Sequence, residues 1–400
     1  MRRSAAVSIT AAGMCLSFAL PLADPWSSAY ASNGTTCLQA KNAAPAGEPW
    51  AERRVAAERA WPASTGRGVT VAVLATGVDA RNPAFAPGQV LTGADVRSGN
   101  ASGAGNRDCD GRGTFAAGLV AAQPTTGSAF AGVAPDATIL PIRYAGALNN
   151  GSDQATPNAL ARAIRYATKH RADVILIPLA QPKNTQDLRD AVAAAVAADE
   201  VVVSAGAKPE AGITYPTGYP GVLAVTAVDQ AGKVMADADQ GPHIDVAAPG
   251  TGLVGPVGDG GYSGPVDSPG MAAAFVAGTA ALVRARLPNL SAAGVIARLE
   301  ATADLLVPDP NSAHRLGVVN AYSAVTAAGD ALGEAARVNT VDGDPAFPAI
   351  RRTTDGLAHR RHRAELIASV AFVLASAIGV GFLLIRRMRS ESGAAAPPLL

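Results

Sequence analysis

Aromatic side chains are scarce in this sequence. Phe, Tyr and Trp together make up 4% of 400 residues, so stacked rings cannot fill the interior, and Ala, Gly and Val must carry it. Charge of a single sign is also missing. Charged residues are 16% of the chain, the net charge is +1, and no acidic or basic block interrupts the central region. That balance excludes the basic patch a nucleic-acid binder needs. There is no His, Cys and Asp cluster at metal-ligand spacing, which leaves no reason to expect a metal or another cofactor. No internal repeat occurs. What is abundant is apolar residues, at 48%, enough for one large packed domain with appendages.

The two ends carry addresses. In residues 1–31, Arg2 and Arg3 precede an apolar run that starts at Ala5 and ends at Leu22, and Ala29-Tyr30-Ala31 forms an Ala-X-Ala cleavage site. This is the pattern of a secretory signal. A first membrane span is the rival reading, but Ser, Thr, Gly and Pro21 break the run. Near the other end, residues 366–385 are uncharged and free of proline. At 1.5 Å per residue such a helix spans about 30 Å, the thickness of the hydrocarbon layer. Arginines flank it on both sides, so charge alone does not orient it. The signal and the large translocated body do. The expected topology is a single span at 365–386, a body outside the cell membrane and a cytoplasmic tail at 387–400.

Three cysteines are present. Cys15 leaves with the signal. Export places the remaining pair, Cys37 and Cys109, in an oxidising compartment, where a disulfide is expected and two free buried thiols are the alternative.

Between the ends the sequence alternates. A polar arm, 32–60, holds one helical patch at 49–60. β-branched apolar runs predict strands at 69–74, 138–143, 173–178, 201–204 and 222–228, with a weaker one at 88–96. Helices are predicted at 114–122, 156–170, 185–199, 291–301 and 320–327. This alternation implies right-handed crossovers and a mainly parallel sheet buried on both faces. Residues 329–364 mix Gly, Pro and charge, and read as a linker. A long helix in the middle is uncharged from Met271 to Val283, so it should be buried all round. Ser268 is placed to cap it, with Pro269 at its first position.

That central stretch, Asp267-Ser268-Pro269-Gly270-Met271-Ala272-Ala273, resembles the nucleophile helix of subtilisin-like serine proteases, Gly-Thr-Ser-Met-Ala-Ala-Pro. Other motifs follow in family order over 61–328. Val73-Leu74-Ala75-Thr76-Gly77-Val78 resembles the strand ending in Asp-Thr-Gly-Val. Asp110-Gly111-Arg112-Gly113-Thr114 resembles Asp-Gly-His-Gly-Thr. Val203-Ser204-Ala205-Gly206-Ala207 resembles the segment ending in the oxyanion Asn. Gly132-Val133-Ala134-Pro135, Tyr215-Pro216, Tyr219-Pro220-Gly221, Val246-Ala247-Ala248-Pro249-Gly250 and Gly317-Val318-Val319-Asn320-Ala321 are also similar. The layout as a whole is similar to the mycosins, membrane-anchored proteases associated with type VII secretion in actinobacteria. The resemblance implies a three-layer α/β fold and a short arm wrapped on the domain. It also implies a Cys37–Cys109 bridge beside the loop that would carry the His.

Carried over residue by residue, the resemblance puts Ala75 at the catalytic Asp position, Arg112 at the His, Gly270 at the Ser and Ala207 at the oxyanion Asn. Each removes a step. Glycine has no nucleophile, and arginine stays protonated and cannot serve as base. Alanine neither orients a base nor holds an oxyanion. Pro178 falls in the segment that pairs with substrate backbone and has no N–H to give. Asp79 and Asp110 also occur in active members. His243 and His314 read as surface or packing residues. Tyr215 and Tyr262 have no base beside them. Buried at a cleft floor, Arg112 would need a carboxylate, with Asp110 and Asp79 nearest in sequence, or else it would turn to solvent as a positive spot.

The reading is a pseudoprotease acting as a structural or binding component of a type VII secretion membrane complex. Two alternatives stand beside it. One is a residual serine-type endopeptidase acting on exported proteins, and the other is a module that binds peptides without cutting them.

Overall fold

Alternating valine-rich runs become strands whose two faces are both covered. In a computed structural model of the chain, the described residues are 37, 40, 42–99, 101–146, 155–206, 213–258, 260–306 and 316–328. The signal 1–31, the linker 329–364, the span 365–386, the tail 387–400, Ala207 and His314 lie outside them. All described residues fall in one compact unit, Met1–Val338, and none in the second, Asn339–Leu400. No helix among them is long and apolar enough to cross a membrane.

The arm supplies α1 (Trp50–Val55) and α2 (Ala57–Ala60). The sheet and its crossovers follow: β1 (Thr70–Ala75), β2 (Ala94–Asp95), α3 (Arg112–Ala121), β3 (Thr138–Arg143), α4 (Pro157–Lys169), β4 (Val174–Ile177), α5 (Gln186–Ala197), β5 (Val201–Ala205) and β6 (Val222–Val228). Then come β7 (Val246–Pro249), β8 (Leu253–Val257), β9 (Gly261–Val266), α6 (Pro269–Arg286), α7 (Ala292–Thr302), β10 (Asp304–Leu305), β11 (Gly317–Val318) and α8 (Ala321–Thr326). Nine described strands form one sheet in the order β10-β11-β7-β6-β5-β4-β1-β3-β2, parallel except where β10 meets β11; β8 and β9 form a separate hairpin.

Three layers result. Val71, Val73, Val174, Leu176, Val201 and Val203 turn to the face covered by α3 and α6. Ala72, Leu74, Ile175, Ile177 and Val202 turn to the face covered by α4 and α5. Burial on both faces is why these strands read as unbroken apolar runs rather than alternating ones. As expected, α6 is buried continuously from Met271 to Arg284. Small residues allow this: a Cβ on Gly278 would lie 2.6 Å from Val133 Cβ.

Three expectations need correction. Ser268 occupies the N-cap of α6, but its side chain makes no capping bond; its N–H donates to Gly250 O at 2.7 Å and its carbonyl accepts from Met271. The helical patch at 49–60 is two helices, broken at Ala56 with φ 58°. The strand at 88–96 shrinks to β2 and a lone bridge at Val90. Pro141 in β3 has no N–H for a neighbour, and Gly93 sits so close that a Cβ would lie 1.8 Å from Pro141 O.

The arm is fastened at several points. Asn42 and Tyr262 exchange backbone hydrogen bonds at 3.1 and 3.0 Å. Ala129 N–H donates to Pro45 O, and the Trp50 indole donates to Thr251 O at 2.9 Å. A Cys37–Cys109 disulfide ties the arm to the loop before α3, so the free-thiol alternative falls.

Candidate functional site

Parallel strands point their carboxyl ends the same way, and β1 lies where the chain order reverses, with β3 on one side and β4 on the other. Such a crevice is where α/β sheets place their sites. Ala75 ends β1 there, fully buried. Arg112 is the first residue of α3 and Gly270 the second of α6. A Cβ on Gly113, next to Arg112, would lie 3.2 Å from Ala75 Cβ. A Cβ on Gly270 would lie 2.2 Å from the carbonyl oxygen of Pro178, the residue after β4. Pro178 is two residues past the Val73–Leu176 pair, level with Ala75. The three positions assigned to a triad therefore converge on the β1–β4 crevice. Ala207 lies outside the described residues.

The start of α3 is built on Asp108. Its Oδ1 accepts from the Thr76 hydroxyl (2.9 Å), Gly111 N–H (2.9 Å) and Asp110 N–H (3.2 Å). Its Oδ2 accepts from Thr114 N–H and the Thr114 hydroxyl, both at 2.8 Å. A carboxylate at a helix amino terminus faces the positive end of the dipole and satisfies orphan N–H groups. Burial and the Asp110 carboxylate push its proton affinity up; the Thr114 and Gly111 bonds pull it back.

Arg112 answers the expectation for a buried guanidinium. Its Nε donates to Asp110 Oδ1 and its Nη2 to Gly146 O at 3.0 Å. Both side chains are 7% exposed. Arg112 is therefore part of an internal ion pair and does not itself make a positive spot. Asp79, the other candidate, is held by Arg81 through Nε at 3.0 Å and Nη2 at 2.8 Å. Behind the pair, burial raises the Tyr144 phenol, which donates to Leu179 O at 2.7 Å.

His243 is not isolated. Its Nε2 lies 3.0 Å from Asp239 Oδ2, and the pair sits at the end of β5, where a Cβ on Gly206 would be 2.5 Å from Asp239 Cβ. The spacing of four residues between the two was the available signal. The Nδ1 of His243 has no partner among the described residues, so no hydroxyl or thiol there is poised for it to activate. Tyr215 packs on Tyr219 at 4.9 Å, and Tyr262 on Phe130 at 5.4 Å. No group of three His, Cys, Asp or Glu among the described residues is gathered as a metal site requires. Ala75, Arg112 and Gly270 themselves offer neither a nucleophile, a base nor a carboxylate.

Residues 66–323 match the Subtilase family. The chain is 32% identical to Mycosin-4 of Mycobacterium tuberculosis over 374 residues, 83% of this chain and 80% of that protein. A crystal structure of MycP1 with its N-terminal propeptide removed aligns with a TM-score of 0.60 and 30% identity, over 70% of this chain and 98% of that one. The structure of the MycP3 protease from the type VII (ESX-3) secretion system aligns with a TM-score of 0.62 and 29% identity, over 74% and 93%. The subtilisin-like α/β fold, the ordered motifs and these relatives agree: the chain belongs to the subtilase family and is of the mycosin type.

Proposed function

We propose that this protein is a catalytically inactive mycosin that serves as a structural or binding component of a type VII secretion membrane complex. It is anchored by the segment 365–386, with its main domain extracytoplasmic and the tail 387–400 in the cytoplasm. The observation that carries this reading is Gly270. The position assigned to the nucleophile lacks a side chain, and the Pro178 carbonyl occupies the place where one would begin. Ala75 and the Arg112–Asp110 pair complete the loss. The assignment of Ala75, Arg112, Gly270 and Ala207 as vestigial positions is part of the proposal.

The segment after β4 speaks against a retained peptide cleft. Pro178 has no N–H, its carbonyl faces Gly270, and the Leu179 carbonyl accepts from Tyr144. Two residues further on, Gln181 pairs its backbone with Tyr215 at 2.6 and 2.7 Å. Few main-chain groups remain for an added strand. Purified full-length protein should fail to react with a serine-directed fluorophosphonate and should copurify, from membranes, with type VII components. Labelling that disappears on changing one named residue would establish a replacement nucleophile and overturn the reading. Loss of secretion on deleting 366–400, with no loss for Arg112→Lys, would support the scaffold.

A further inference from the structure

The arm helix α1 hides an acid that no charged group among the described residues answers. Glu52 is 6% exposed, and neither carboxyl oxygen has a hydrogen-bond partner among the described residues. A buried ionised carboxylate without a partner is costly, and the group keeps its proton instead. Burial is the main cause and holds Glu52 up at about 8; its backbone N–H pulls down, Glu48 pushes up and Arg53 pulls down.

The described surroundings offer no partner. α1 packs on α2 and β7. β7 reads Val246-Ala247-Ala248-Pro249 and has no titratable group. α2 carries Glu58 and Arg59, and the Arg59 guanidinium lies over the Tyr322 ring at 4.4 Å. On α1 itself, Arg53 donates to the Glu48 carbonyl and Arg54 pairs with Asp304 on β10 at 2.7 Å. The segment is nonetheless seated: Trp50 reaches Thr251 O, and Gly252 lies under the indole, where a Cβ would be 3.4 Å from Nε1.

We propose that Glu52 makes the seating of α1 on β7 proton-dependent: the neutral carboxyl lets the arm lie down, its ionisation lifts α1, and Cys37–Cys109 keeps the lifted arm attached. The direction follows from linkage. Glu52 binds its proton more tightly when seated than when lifted. Seating is therefore firmest below about 4.5, weakens as pH rises towards about 8, and is level beyond.

Hydrogen exchange of residues 50–60 in the oxidised full-length protein tests this, with α6 in the same sample as internal reference and rates corrected for intrinsic pH dependence. Between pH 5.5 and 9, protection of 50–60 relative to α6 should fall on the order of a hundredfold. Glu52→Gln should abolish that dependence. Glu52→Met, which leaves no buried amide unpaired, should do the same and guards against a folding defect in the first variant. Protection that does not change with pH in the unmodified protein would overturn the proposal. So would an unchanged pH response in either folded variant.

Discussion

Arg112 and Glu52 are equally hidden from water, each 6% exposed, and the fold treats them in opposite ways. Arg112 is matched by a carboxylate and a carbonyl. Neither carboxyl oxygen of Glu52 has a side-chain or carbonyl partner among the described residues. Glu200 stands between them: one oxygen accepts from the Thr168 hydroxyl at 2.7 Å and the other has no partner among the described residues. In the crevice at β1 and β4 the buried charges of Arg112 and Asp110 are thus closed on each other. The adjustable energy lies in the arm. A reactive centre needs a group held ready and incompletely satisfied. By that criterion the two regions differ in kind.

The bridge joins them, since Cys37 belongs to the arm and Cys109 lies between Asp108 and Asp110. Its 72-residue separation gives about 4 kcal/mol in the chain-entropy model. Cys109→Ser should lower the denaturant midpoint by that order and loosen both the arm and the start of α3. Equal midpoints would mean the two regions are coupled by packing alone. Next in size, Arg112→Leu leaves Asp110 buried and unpaired and should cost about 3 kcal/mol; adding Asp110→Leu should recover much of it. A double variant no better than the single would show that the pair is not what closes the crevice.

Gly270→Ser should cost about 1–3 kcal/mol in urea unfolding by overpacking against Pro178. Combined with Ala75→Asp and Arg112→His, it should still give no turnover of labelled peptides. Turnover by this triple variant would show that the crevice had kept its readiness. The smallest effect is expected at Glu200. Burial raises it to about 7, and the Thr168 hydroxyl draws it down. Stability linked to it is greatest below about 4.5 and declines as pH climbs to about 7. Glu200→Gln should flatten that slope by about 1 kcal/mol, read from thermal midpoints across pH.

Long buried strands and helices were legible in the sequence because their patterns are strong: β1, β3 and β6 fall within one residue of the runs at 69–74, 138–143 and 222–228. The rest was hidden for local reasons. β7 is four residues ending in Pro249, and β10 and β11 are two residues each, too short for a period to show. β9 contains Gly261 and Gly264-Pro265, which read as a turn. At the site, the three motifs holding Ala75, Arg112 and Gly270 lie around one crevice, and Asp110 was one of the two carboxylates named for Arg112. The Asp108 cage, the His243–Asp239 pair and the unanswered Glu52 were not visible. Each depends on which side chains the folded backbone brings together, or fails to.

Under the proposed assignment of position 270 to a former nucleophile, its contact with the Pro178 carbonyl has a historical consequence. A lost side chain is normally one substitution from return. Here a Cβ at position 270 would lie 2.2 Å from the Pro178 carbonyl oxygen, and backbone cannot rotate away as a side chain would. Serine at 270 becomes acceptable only after the end of β4 has shifted, and that shift is useless until serine is back. Selection acting one change at a time meets a disadvantage on either first step, so this position works as a ratchet, and drift elsewhere in the domain can proceed without reopening it.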